Sequence, residues 1–130
     1  MVTLIARWYV LEGKQAAAVT ALKELASEVL STEPNTLMYL VHTPDMKQAS
    51  LPPPTDTEIL FVEAYADMKS FFAHLNGPAF TNFVKHFGKL FQTATGTDAH
   101  GKTVSIPFVQ VEFLNRQAGF VRESAAGAEL

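Results

Sequence analysis

The chain has no cysteine in its 130 residues. That excludes disulfides, thiolate nucleophiles and cysteine-held metal, and it fits a cytoplasmic setting. No apolar run is long enough to cross a bilayer. Charge of one sign is also scarce: ten basic residues stand against thirteen acidic ones, for a formal charge of −3. With no basic cluster, nucleic acid is not the expected partner, and neither is a membrane. The opening Met1-Val2-Thr3-Leu4 lacks the basic start and small-residue cleavage site of a secretory leader and reads directly as a strand. No glycine-rich phosphate loop is present, so no nucleotide cofactor is expected. The four histidines, His42, His74, His86 and His100, show no paired ligand spacing, and no metal is expected either.

What is abundant is aromatic and aliphatic surface. Ten phenylalanines in a chain that is 48% apolar provide for one core and one domain. Residues 1–114 are expected to form that domain and 115–130 a tail that frays or clasps a partner. Thr3–Leu11 is β-branched and aromatic and predicts a strand ending at Glu12-Gly13. Gln15–Leu30 has helical spacing, with Ala18, Leu22, Leu25, Ala26 and Val29 on one stripe. Pro34-Asn35 ends it, and Leu37–His42 predicts a second strand. Pro44–Thr57, with three consecutive prolines, predicts a long loop, a candidate lid.

Glu58–Tyr65 predicts a third strand, with Glu63 inside an apolar run. Asp67 is a good N-cap for a helix over Met68–Leu75 that carries His74, and Asn76-Gly77 stops it. Pro78 suits the first turn of a further helix reaching about Phe91. Thr93–Thr103 is small and polar and predicts a loop; Val104–Leu114 predicts the last strand.

This β-α-β-β-α-β order defines an α+β, ferredoxin-like fold: a four-stranded antiparallel sheet with its helices on one face. On the third strand, Leu60, Val62 and Ala64 form a small aliphatic face suited to the helices. Ile59, Phe61, Glu63 and Tyr65 form a mixed face that a monomer would leave open. An open apolar face rimmed by polar groups is an interaction surface, here for a homodimer packed sheet to sheet. Leu4, Ala6, Trp8 and Val10 make the better helix-packing face of the first strand, which leaves Arg7 and Tyr9 for the other.

The chain resembles the antibiotic biosynthesis monooxygenase family of dimeric α/β barrels over roughly Thr3 to Leu114. The resemblance is carried by Ala6-Arg7 with Gly13, by Glu33-Pro34-Asn35, by Tyr39, and by Glu63 within Phe61-Val62-Glu63-Ala64-Tyr65. Ala73-His74-Leu75 with Pro78, Phe80 and Phe83 completes it. Asn35 stands where the family usually has glycine, and Ala79 where a second histidine is often found. The resemblance implies a cofactor-independent monooxygenase that uses molecular oxygen on a small flat aromatic of quinol or anthrone type. It equally admits a small-metabolite isomerase or a non-catalytic dimeric ligand-binding or stress-response module.

In the oxygenase reading His74 is the general base, since deprotonated substrate is what passes an electron to O₂. Glu63 is its partner. Arg7, Tyr9, Tyr39, Phe61, Tyr65 and Phe83 are the substrate-binding candidates. Structural alternatives stand beside each: His74 as a helix-end clasp to a carbonyl or to Glu63, Glu63 as an ion pair with Arg7, and Phe83 as plain core.

Overall fold

The computed structural model describes residues 1–122; the end of the predicted tail, residues 123–130, lies outside the described residues. Strand β1 (Val2–Tyr9) alternates as its sequence requires. Leu4, Ala6 and Trp8, with Val10 beyond the strand end, are buried on one face, while Arg7 on the other is exposed. Helix α1 (Gln15–Thr32) buries Ala18, Ala21, Leu22, Leu25 and Val29, the stripe that its spacing predicts, with Ala21 in place of Ala26. Gly13, at φ +77°, makes the turn between them in a conformation that disfavours any side chain.

Strand β2 (Thr36–His42) is followed by the Pro-rich loop and β3 (Glu58–Tyr65). Helices α2 (Met68–Asn76) and α3 (Pro78–Phe87) follow, and a 3₁₀ turn over Gly88–Leu90 extends α3. The break at Gly77 has a local cause. A Cβ there would stand 2.7 Å from the Ala73 carbonyl oxygen, so only glycine lets the chain leave α2 so sharply. Pro78 then opens α3 without forfeiting a helix hydrogen bond.

The sequence predicts a loop over Thr93–Thr103 and one strand from Val104 to Leu114. The structure instead has a separate hairpin, β4 (Thr93–Thr97) and β5 (Thr103–Pro107), followed by β6 (Val109–Leu114). The alternating threonines of β4 are β-branched and suit a strand despite their polarity. Asp98 closes the turn: its carboxylate accepts from the backbone N–H of His100 and of Lys102, both at 2.9 Å. Pro107, which has no N–H to give a ladder, divides β5 from β6.

The main sheet has the order β2-β3-β1-β6, and every neighbouring pair is antiparallel. This is the expected ferredoxin-like α+β architecture. One prediction about it is reversed. Ile59, Phe61, Glu63 and Tyr65 face the helices and are buried, while Leu60 and Val62 lie on the open face and are only half-buried. The register explains the reversal, since Glu63 stands opposite Leu4 and Phe61 opposite Ala6, both on the buried face of β1. Aromatic bulk is needed to fill the space under three helices, where burial of each large apolar side chain contributes about 1.5–3 kcal/mol. Trp8 sits at the centre of that layer, its ring 5.0–6.1 Å from those of Phe61, Phe80, Phe83 and Phe91.

Candidate active site

Helix α1 ends at Glu33, the residue before Pro34. The turn that follows is stitched down by two backbone bonds, Thr36 N–H to Glu33 O at 3.0 Å and Ala66 N–H to Asn35 O at 2.9 Å. These bonds fix Glu33 against the last turn of α2, where His74 is 2% exposed. His74 Nδ1 lies 2.7 Å from Glu33 Oε1, and the Thr36 hydroxyl donates to the same oxygen at 3.1 Å. An ionised carboxylate can only accept, so Nδ1 carries a proton, and in the neutral ring the lone pair is then on Nε2. The other carboxylate oxygen, Glu33 Oε2, is buried and receives no hydrogen bond among the described residues.

A second carboxylate lies behind this pair. Glu63 is 6% exposed and its Oε2 accepts from the Tyr65 hydroxyl at 2.9 Å. Burial raises the Glu63 carboxyl to about 7, the Tyr65 hydrogen bond opposes the shift, and the charge of Glu33 adds to it. Burial likewise raises the Tyr39 and Tyr65 phenols, helped by the charges of Glu63 and Glu33, and both remain protonated donors. Tyr39, Tyr65 and Phe80 surround the imidazole at 5.2–5.6 Å between ring centres.

The Glu33–His74 pair forms part of the wall of a pocket of about 470 Å³, a volume suited to a small ligand. Its rim is built by Asn35 on one side and by Lys69, Ser70 and Pro78 on the other. Asp67, also on the rim, is occupied as the N-cap of α2: its Oδ1 accepts from the Ser70 N–H and hydroxyl, both at 2.7 Å. Those bonds hold its carboxyl below the ordinary aspartate range.

Of the residues singled out in the sequence, His74 alone lines this pocket; Tyr39 and Tyr65 pack against its ring from the interior, and Glu63 is bonded to Tyr65 behind it. Phe61 is next to them, its ring 5.4 Å from that of Tyr39. Phe83 belongs to the aromatic core around Trp8. Arg7 and Tyr9 are on the opposite face of the sheet. Arg7 Nε pairs with Glu58 Oε1 at 3.0 Å, and Tyr9 donates to Gln110 at 2.8 Å and stacks on Phe108. The ion pair considered for Arg7 and Glu63 therefore does not form, and Glu63 is bonded to Tyr65 in place of His74. The Pro-rich loop leaves β2 at its far end, about 20 Å along the strand from Thr36. Thr57 O tethers it to Val10 N–H at 2.7 Å, and the Gln15 side chain holds Asp56 O. No residue of that loop lines the pocket.

Glu33 is the residue that sequence reasoning assigned no chemistry. One signal was present: a carboxylate at the C-terminal end of a helix opposes the macrodipole, and such a placement asks for a compensating partner. Among the described residues no group of three or more His, Asp or Glu side chains gathers to hold a metal ion, and no helix is long and apolar enough to cross a membrane.

A four-stranded antiparallel sheet in the order β2-β3-β1-β6, with helices on one face and a buried histidine–carboxylate pair beneath them, defines an α+β domain of the ferredoxin-like type. The chain belongs to the antibiotic biosynthesis monooxygenase family, whose sequence pattern matches residues 1–86. Solved structures share the fold at low identity. PA3566 of Pseudomonas aeruginosa is 20% identical, with 90% of this chain and 94% of that one covered at a TM-score of 0.65. Rv0793 of Mycobacterium tuberculosis is 16% identical, with 91% and 96% covered at 0.63. A structure named antibiotic biosynthesis monooxygenase is 15% identical, with 91% and 100% covered at 0.65. A search of curated proteins gives no match.

Proposed function

We propose that this protein is a cofactor-independent monooxygenase of a small, flat, oxidisable aromatic of quinol or anthrone type. The observation that carries the reading is the 2.7 Å contact between His74 Nδ1 and Glu33 Oε1 in the wall of the pocket. It fixes the tautomer and leaves Nε2 as a base. His74 removes a proton from the substrate, and the resulting anion gives one electron to O₂. Recombination of the substrate radical with superoxide forms a peroxide anion at the same carbon, and the imidazolium returns its proton to give the hydroperoxide. Loss of water then leaves a carbonyl, so that in an anthrone-type substrate a CH₂ group and O₂ become C=O and H₂O. Glu33 stabilises the imidazolium formed in the first step. Tyr39, Tyr65 and Phe80, packed behind the imidazole at 5.2–5.6 Å between ring centres, hold the base in its orientation.

Arg7 and Tyr9 take a different place in this reading from the one the sequence suggests. They belong to the open sheet face, where half-buried Ile5, Leu40, Leu60 and Val62 form the apolar centre of a sheet-to-sheet homodimer contact. Oxygen consumption with a panel of quinols and anthrones tests the activity. His74→Ala should lower turnover by at least about a hundredfold, within the range that general-base catalysis contributes. Unchanged turnover in that variant removes His74 from the chemistry. Turnover that persists without oxygen reassigns the same pair to an isomerisation.

A further inference from the structure

We infer that the outer edge of β2, with the flank of α1 beside it, is a second surface of self-association, where two copies pair about a twofold axis through Ala26 and Tyr39. The inference rests neither on the pocket beside His74 nor on the open sheet face. β2 is the end strand of the order β2-β3-β1-β6, and among the described residues no strand lies along its outer side. Edge strands are ordinarily guarded by charge or by proline. The opposite edge follows that rule, with Glu112 inside β6 and Pro107 just before it. β2 does not. Thr36-Leu37-Met38-Tyr39-Leu40-Val41-His42 holds no lysine, arginine, acidic residue or proline. Its one bulge lies between Thr36 and Met38 and leaves Met38–His42 regular.

The groove between this edge and α1 is complementary to itself. It consists of two hollows, of about 530 and 290 Å³, that meet at Ala26 and Tyr39. The larger is lined by Val19, Leu22 and Val41. The smaller is flanked by Leu30 and Leu37, which are 85% and 56% exposed. Leu30 follows Ala26 by four residues and Leu22 precedes it by four, so projection and hollow stand about 6 Å either side of the axis on one helix stripe. Leu37 and Val41 flank Tyr39 by two residues each way. Antiparallel pairing of β2 with its copy therefore seats each Leu30 in the other chain's larger hollow and brings Leu37 to Val41 across the axis. The small side chains of Ala26 and Ser27 at the crossing let the two helices approach. Lys23 falls three residues off the axis, so the two ammoniums stand about 9 Å apart along the helices and do not oppose each other.

The contact is one strand edge and about two turns of helix, which places it in the small, transient class, with association expected at on the order of 100 μM and not at micromolar concentration. Sedimentation of Val62→Lys, which closes the open face to a second copy, isolates this surface. That protein should pass from monomer to dimer as its concentration is raised through that range. Adding Leu30→Lys should weaken the association at least about tenfold, as loss of a central anchor does. Leu51→Lys, a like change at an exposed leucine of the Pro-rich loop, should leave it as it is.

A second readout maps the axis. The chain has no cysteine of its own, so Ser27→Cys supplies a single thiol at the crossing. A short bis-maleimide should join two Ser27→Cys chains much faster than two chains carrying Glu12→Cys, an exposed position away from the groove. A Val62→Lys protein that stays monomeric leaves the edge to a strand of another protein and overturns the inference. Association that survives Leu30→Lys, or equal cross-linking of the two thiols, also overturns it. Failure of the sheet-face contact looks different: wild type and Val62→Lys would then associate alike, and Leu30→Lys would weaken both.

Discussion

At the scale of single residues, the site is a balance of two carboxylates and one imidazole, of which Glu63 and His74 are almost wholly buried. Glu63 shows what that costs. Its carboxyl is raised to about 7, so between the ordinary glutamate value and that point the folded chain holds a proton that the unfolded chain has released. The stabilising contribution is fully present below the ordinary value and is lost as pH rises toward and through 7. Glu63→Gln keeps an acceptor for the Tyr65 hydroxyl and removes the charge. Its stability relative to wild type should therefore grow between pH 5 and 8 by on the order of 2–3 kcal/mol. Urea unfolding at both pH values checks this, and a pH-independent difference would place the strain elsewhere. His74 and Glu63 were legible in the sequence because each breaks an apolar pattern. Glu33 was not, since its partner is 41 residues away and only the docking of α2 on the end of α1 brings them together.

At the scale of elements, propensity and capping describe most of the chain. Asp67 caps α2, Gly77 ends it, and Pro78 starts α3, as the local chemistry of those residue types requires. Gly77→Ala should cost about 1–3 kcal/mol, because its Cβ meets the Ala73 carbonyl at 2.7 Å and either α2 or α3 must shift. The same shift moves His74 relative to Glu33, so turnover should fall with stability, and thermal melts beside oxygen-uptake assays measure both. Two elements were misread, the first because alternation names two faces without saying which is inside, the second because polarity was taken for a loop. In β3 the volume available under the helices decides, and it selects Phe61 and Tyr65 over Leu60 and Val62. In β4 the polar threonines suggested a loop, whereas cross-strand pairing with β5 gives them a ladder.

At the scale of the whole molecule, the family pattern covers residues 1–86, while β6, which completes the sheet beside β1, comes after it. The helix-covered face carries the pocket, and the open face carries Val62 directly opposite Ile5 in the register. A charge there meets the proposed partner sheet at its centre. Val62→Lys should convert a dimer to a monomer by sedimentation while leaving the fold of each chain intact. A wild-type monomer at micromolar concentration would remove the dimer from the proposal. The aromatic core has a consequence for experiment as well. The chain's one tryptophan, Trp8, is 3% exposed and caged by four phenylalanines, of which Phe80 also touches the His74 ring. The protein thus carries a single indole fluorophore one ring removed from its base. Its emission reports on this interior alone, with no second indole to confuse the signal and no label to disturb the pocket.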